Sequence, residues 1–129
     1  MPAPRLAIDL ASATPVTRQI IDQLRTRLVE GALQPGDALP SVRRLAIDLG
    51  VHFNTVADAY RTLAGEQWLD VAQGRTVRVR ARPVPAVTPE TRTLFRQRLR
   101  EIVAEARAHG LSAAAVARDL DAIAEGLRS

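Results

Sequence analysis

Apolar residues recur along this chain at two periods, and the change from one to the other outlines its elements. From Val16, the positions Ile20, Leu24 and Leu28 follow four residues apart, with Ile21 beside them. That spacing gathers them on one face of a helix. Thr14-Pro15 predicts its start, threonine as cap and proline at the first helical position, and Gly31 predicts its end. Gln34-Pro35-Gly36-Asp37 is turn chemistry. Pro40-Ser41 opens a second, short helix whose inward positions are Val42, Leu45, Ala46 and Leu49, and Gly50 stops it. A third helix starts near His52 to Asn54 and carries Val56, Ala59, Tyr60 and Leu63 inward, with Gly65 near its end. The period then falls to two. Trp68, Leu69 and Val71 begin an extended segment, Gln73-Gly74-Arg75 is a turn, and Val77 and Val79 alternate with Arg78, Arg80 and Arg82. These features predict a hairpin. Ahead of the first helix, Leu6, Ile8 and Leu10 alternate, which reads as a short strand or extended arm.

Pro83, Pro85 and Pro89 form a stiff linker. Two more helices are expected after it. One runs from about Pro89 to Ala108 with the stripe Phe95, Leu99, Ile102, Val103 and Ala106, and ends at His109-Gly110. The next is capped by Ser112 and presents Val116, Leu120, Ile123 and Leu127. The expected architecture is mostly α with a small β-hairpin. It comprises an arm over residues 1–14, a helix–helix–helix–hairpin domain over 15–82, a linker over 83–88 and a helical region over 89–129.

Composition narrows the functional classes. Hydrophobic residues make up 47% of the 129-residue chain and charged residues 25%, an ordinary globular balance. No apolar run approaches the roughly 20 residues of a membrane helix, and the opening MPAPRLAIDL lacks the apolar stretch of a secretory signal. A cytoplasmic protein that makes no use of membranes is therefore expected. The absence of cysteine excludes disulfides, thiolate metal sites and cysteine nucleophiles. The 18 basic residues, all arginine, outnumber 14 acidic ones for a net charge of +4. Arginine binds phosphate bidentately, so the placement of these residues decides what the charge is for. No enzyme constellation is present. His52 and His109 lack metal-ligand spacing, Gly36 is followed by Asp37-Ala38 where a phosphate loop needs Lys-Ser/Thr, and Glu101/Glu105 read as solvated helix surface. No cofactor and no metal are expected.

The second and third helices are separated by Gly50-Val51-His52. Two short helices joined by a glycine-led turn are the helix-turn-helix pattern, in which the N-terminal residues of the second helix enter a major groove. The hairpin would then be the wing. The run Leu33-Gln34-Pro35-Gly36-Asp37-Ala38-Leu39-Pro40-Ser41-Val42-Arg43-Arg44-Leu45-Ala46, followed by Leu49-Gly50-Val51, Asn54-Thr55-Val56 and Ala59-Tyr60-Arg61-Thr62-Leu63, resembles the N-terminal domain of GntR-family bacterial transcription regulators. The Asn-Thr-Val-x-x-Ala-Tyr version and the short tail are similar to the YtrA subfamily. The resemblance covers roughly residues 15–80. It implies a winged helix-turn-helix that binds operator DNA as a homodimer, usually as a repressor, with a two-helix dimerisation unit in place of a larger effector domain. This chain departs from the family pattern at His52-Phe53, at Ala57, where relatives place a base-reading arginine, and at the wing turn Gly74-Arg75-Thr76.

Each candidate has a plain structural alternative. Arg43 and Arg44, early in the second helix, suit phosphate contacts, or they are solvated. Ser41 is first a cap. Asn54 can pair with adenine and the Thr55 methyl can touch thymine, unless one of them caps the helix. Phe53 either packs on thymine methyls or sugars or tucks into the domain. His52 touches a phosphate or serves the turn. Arg61 takes the place of the missing arginine at Ala57, or pairs with Asp58. Gly74 and Arg75 form the wing tip, for a minor-groove or phosphate contact. Arg78, Arg80 and Arg82 share a face of the strand, where charge keeps an edge strand from pairing. Trp68 is expected in the core. In the tail, Phe95, Leu99, Ile102, Leu120, Ile123 and Leu127 are expected at the centre of a dimer. The competing functional class is a protein-interaction module on the same scaffold. An aminotransferase-like fusion needs a cofactor-bearing lysine, and the chain has none.

Overall fold

The computed structural model describes residues 5–71, 76–82 and 85–128. The chain divides into two compact units, Met1–Pro83 and Val84–Ser129. The first contains α1 (Val16–Glu30), β1 (Ala38–Leu39), α2 (Val42–Leu49), α3 (Phe53–Gly65), β2 (Leu69–Val71) and β3 (Val77–Val79). The second contains α4 (Pro89–Ala108) and α5 (Ala113–Arg128).

The apolar stripes meet as their periods require. Ile20, Ile21, Leu24 and Leu28 of α1, Leu45 and Ala46 of α2, and Val56, Ala59, Tyr60 and Leu63 of α3 form one core with Leu33, Leu39, Leu69, Val77 and Val79. The largest residue in it, Tyr60, is 1% exposed and donates its hydroxyl to the Pro40 carbonyl at 2.8 Å. Burial pushes its phenol pKa up. The hydroxyl thus holds the chain just ahead of α2 against the middle of α3. The left-handed conformation of Gly50, φ 68°, ends α2 and turns the chain directly into α3.

Two expectations are corrected, and one open reading is narrowed. The sheet has three strands in the order β1-β3-β2, both pairings antiparallel, so β3 is the middle strand and not an edge. β1 is two residues long, too short to show a period of its own. Consequently Arg78, Arg80 and Arg82 do not guard a free edge. Arg78 lies opposite Asp70 in the register and donates to the Gly36 carbonyl at 3.1 Å. Second, α1 is preceded by Pro15 with no side-chain cap. The Thr14 carbonyl instead accepts from Gln19 Nε2 at 2.8 Å. Of the two readings left open for the N-terminal segment, residues 5–14 follow the extended arm, and no strand forms among them. Gln23 acts as its pairing edge, accepting from Ala7 N at 2.9 Å and donating to Ala7 O at 2.8 Å, and Gln19 does the same at Asp9. Leu6 and Ile8 pack against the core, whereas Leu10 is exposed.

The second unit is simpler. Thr88 caps α4, accepting from Thr91 N at 3.1 Å with proline in the first turn, and Ser112 accepts from Ala115 N at 3.1 Å at the start of α5. Val116 is its one buried hydrophobic residue among those described.

Candidate nucleic-acid interface

The local chemistry of two helix starts builds the site. Ser41 caps α2 by accepting from Arg44 N at 3.1 Å. Its hydroxyl therefore has a structural task, and α2 begins squarely at Val42. Arg43 is exposed and makes no ion pair or hydrogen bond through its side chain among the described residues. Arg44 is tied along its own helix to Asp48 at 3.2 Å. A cation in the first turn gains nothing from the helix dipole, and Arg43 has no carboxylate to compensate.

At α3 the cap is His52. Its Nδ1 accepts from Asn54 N at 3.1 Å, and its carbonyl accepts from Thr55 N at 3.1 Å. This settles which residue closes the helix start. Asn54 and Thr55 lie inside the first turn, and neither carries the cap. The Asn54 carboxamide is exposed and has no hydrogen-bond partner among the described residues. Accepting at Nδ1 requires the neutral ring with its proton on Nε2, so the exposed edge of His52 is a donor. Phe53 is 47% exposed, so it does not tuck into the domain. Thr55 is half-buried. Arg61 donates to Asp58 at 2.7 Å, the pairing that the sequence left open. That contact neutralises the one carboxylate on the exposed face of α3.

The structure thus brings Arg43, the His52 ring edge, Phe53 and Asn54 to the exposed starts of two helices joined by one tight turn. Ser41 is given to capping, and Arg44 and Arg61 are given to ion pairs. Gly74 and Arg75, expected at the wing tip, lie outside the described residues. Arg80 is exposed at the end of β3 and its side chain has no partner among the described residues. Sequence reading grouped it with its two neighbours, because the partners of Arg78 and Arg82 lie far off in the chain. Among the described residues there is no cluster of His, Asp and Glu able to hold a metal, and no helix is long and apolar enough to cross a membrane.

Three helices, of which the second and third make a glycine-turned pair, together with a small antiparallel sheet whose last two strands follow α3, define a winged helix-turn-helix, a DNA-binding class. Residues 16–79 match the family described as bacterial regulatory proteins, gntR family. The chain is 31% identical over 106 residues to the HTH-type transcriptional repressor YtrA of Bacillus subtilis, covering 82% of each. The solved structure of YtrA from Sulfolobus acidocaldarius, a GntR-family transcription factor, aligns at TM-score 0.56 and 35% identity over 96% of this chain and 100% of that one. A transcriptional antiterminator from Listeria monocytogenes shares the fold, with TM-score 0.74 at 22% identity over 98% of this chain and 95% of its own. The chain belongs to the GntR family, is of the YtrA type within it, and is a DNA-binding transcriptional regulator.

Proposed function

We propose that the chain represses transcription by occupying a palindromic operator as a homodimer. In this reading, α3 enters the major groove, with Asn54 and Thr55 on base edges and Phe53 against thymine methyls or sugars. Arg43 and the Nε2–H of His52 take phosphate oxygens, with Arg44 and Ser41 beside them. Arg61 stays with Asp58 and acts at the rim, and Gly74 and Arg75 make a minor-groove or phosphate contact. The single observation that carries the base-reading part is the His52 cap, which leaves the Asn54 carboxamide unspent. The repressor reading is supported by the name of the similar Bacillus subtilis protein.

The homodimer reading draws on the helical unit. Phe95, Leu99, Ile102, Leu120, Ile123 and Leu127 are 42–69% exposed, although they lie on two amphipathic helices. An apolar surface of this kind marks an interface, and a second copy of the same pair covers it with two-fold symmetry. Two recognition helices joined in this way read half-sites about 34 Å apart, or a multiple of that distance. Selection of genomic fragments with the purified protein, followed by a footprint, tests the proposal. Two protected half-sites related by two-fold symmetry are expected. A single protected patch without internal symmetry contradicts it.

A further inference from the structure

The outward face of α3 holds a charge pair that the base-reading residues leave unused. With about 3.6 residues per turn, each position of a helix is turned about 100° from the last. The buried positions of α3, Val56, Ala59, Tyr60 and Leu63, gather on one side. Asn54 lies on the opposite side. Asp58 and Arg61, four and seven residues on, fall within about 40° of Asn54 around the helix, and about 6 Å and about 10 Å further along its axis. All three are exposed. The stripe that faces away from the core therefore runs Asn54, Asp58, Arg61, with a carboxylate at its centre.

Arg61 Nη1 donates to Asp58 Oδ1 at 2.7 Å, and both side chains are more than half exposed. Asp58 Oδ2 and Arg61 Nε and Nη2 have no other partner among the described residues. An exposed pair of this kind adds little to stability. The fold therefore does not need a carboxylate here, and DNA phosphates repel one. Base edges offer it a different chemistry. An ionised carboxylate only accepts hydrogen bonds, and the major-groove edge of cytosine presents a donor, the N4 amino group. Arg61 keeps the donors that suit O6 and N7 of guanine. Its side chain is already held by Asp58, so less rotamer freedom is lost when it binds.

We propose that Asp58 is a specificity-determining residue of the DNA interface. It fixes the Arg61 guanidinium for a guanine, and its Oδ2 accepts from the N4 amino group of a cytosine beside that guanine in the groove. The pair thereby reads a G·C position at the rim of each half-site, next to the base pair met by Asn54. The proposal rests on the reading above that α3 enters the major groove. A carboxylate on this face lowers affinity for every sequence and raises discrimination between sequences. That opposition of sign separates a reader from a surface ion pair.

The test uses the full chain with the selected operator, its single-base variants and a duplex of unrelated sequence. Alanine is the strongest helix former, so Asp58→Ala keeps α3 folded. This variant is expected to bind the unrelated duplex about twofold more tightly, because a repelled charge is gone. Its preference at one G·C pair of each half-site is expected to fall about tenfold. Arg61→Ala should lose preference at that same pair. Replacing the guanine there with 7-deazaguanine, which lacks the N7 acceptor, should weaken binding of the unmodified chain about fivefold and leave Arg61→Ala unaffected. Tighter binding of Asp58→Ala to every duplex alike, with the operator preference intact, overturns the proposal and leaves the pair a surface contact. So does equal weakening of Arg61→Ala on all sequences with a flatter salt dependence, which would make Arg61 a phosphate ligand. If Asn54→Ala relaxes its own base pair while the Asp58 and Arg61 variants relax none, this proposal alone fails. If none of the three variants changes preference at any base pair, the groove reading of α3 fails and the proposal with it.

Discussion

Arg43 and Arg44 are neighbours in sequence with different surroundings, and the difference predicts different behaviour. Arg44 is paired with Asp48, whereas Arg43 is exposed and unpaired among the described residues. Replacing Arg43 with alanine should weaken binding to all DNA sequences alike and flatten the salt dependence by about one unit, as loss of one phosphate contact does. Titration at several salt concentrations checks it. A loss confined to the operator with the slope intact would make Arg43 a base reader. Asn54 should behave in the opposite way. Because His52 and not Asn54 caps α3, Asn54→Ala should leave thermal stability unchanged. It should relax preference at one base pair per half-site, by about 1–3 kcal/mol. Binding to a panel of single-base operator variants, alongside a melting curve, separates that outcome from a capping role. These roles were only partly legible in the sequence. Histidine and asparagine are both plausible at a helix start, and which one spends its side chain on the backbone depends on the φ and ψ of Val51-His52. The pairing of Arg61 with Asp58 was one of two readings that the sequence left open, visible at all because it spans three residues on one helix.

The same limit appears among the elements. Helices announce themselves through caps and periods within a few residues, so Ser41, Gly50, Ser112 and the whole of Pro89–Ala108 could be read directly. β1 could not, because two residues carry no period and its partner β3 lies far along the chain. The linkage of Arg25 to Glu66 was hidden for the same reason, since nothing near either residue names the other. Thr14 shows the converse error. Its sequence suits a cap, but Gln19 reaches back to the Thr14 carbonyl and the arm and occupies that corner. The turn between α2 and α3 carries its own prediction. Gly50 has φ 68°, and beyond its two chain neighbours no atom lies within 4 Å of where a Cβ would stand, so Gly50→Ala adds strain without a clash. It should cost about 1–2 kcal/mol, the penalty of a left-handed alanine. Denaturant unfolding measures it. A loss far beyond that range would mean that the turn is crowded and that the α2–α3 geometry differs from the one described.

For the whole molecule, two units divide the work. Every residue of the hydrophobic core lies in the first unit, between Ile20 and Val79, so that unit has what it needs to fold alone. The second has one buried hydrophobic residue among those described and a broad apolar surface, which the proposed dimer would cover. In the proposed dimer, linking two reading heads would let a chain with a net charge of only +4 bind tightly, since the second head would act at high effective concentration. Leu99→Asp, placed in the middle of the exposed α4 stripe, should therefore yield a monomer whose helix content and single half-site affinity are retained. Its affinity for the full operator should drop about a hundredfold, as read by sedimentation and by titration of both duplexes. The most direct measurement is sedimentation equilibrium of residues 1–83 beside the whole chain, each with and without operator. The account predicts a dimer for the whole chain, a folded monomer for the fragment, and much weaker operator binding by the fragment. A fragment that remains dimeric and binds the operator as tightly as the whole chain would contradict it, and would place the dimer contact within the DNA-binding unit.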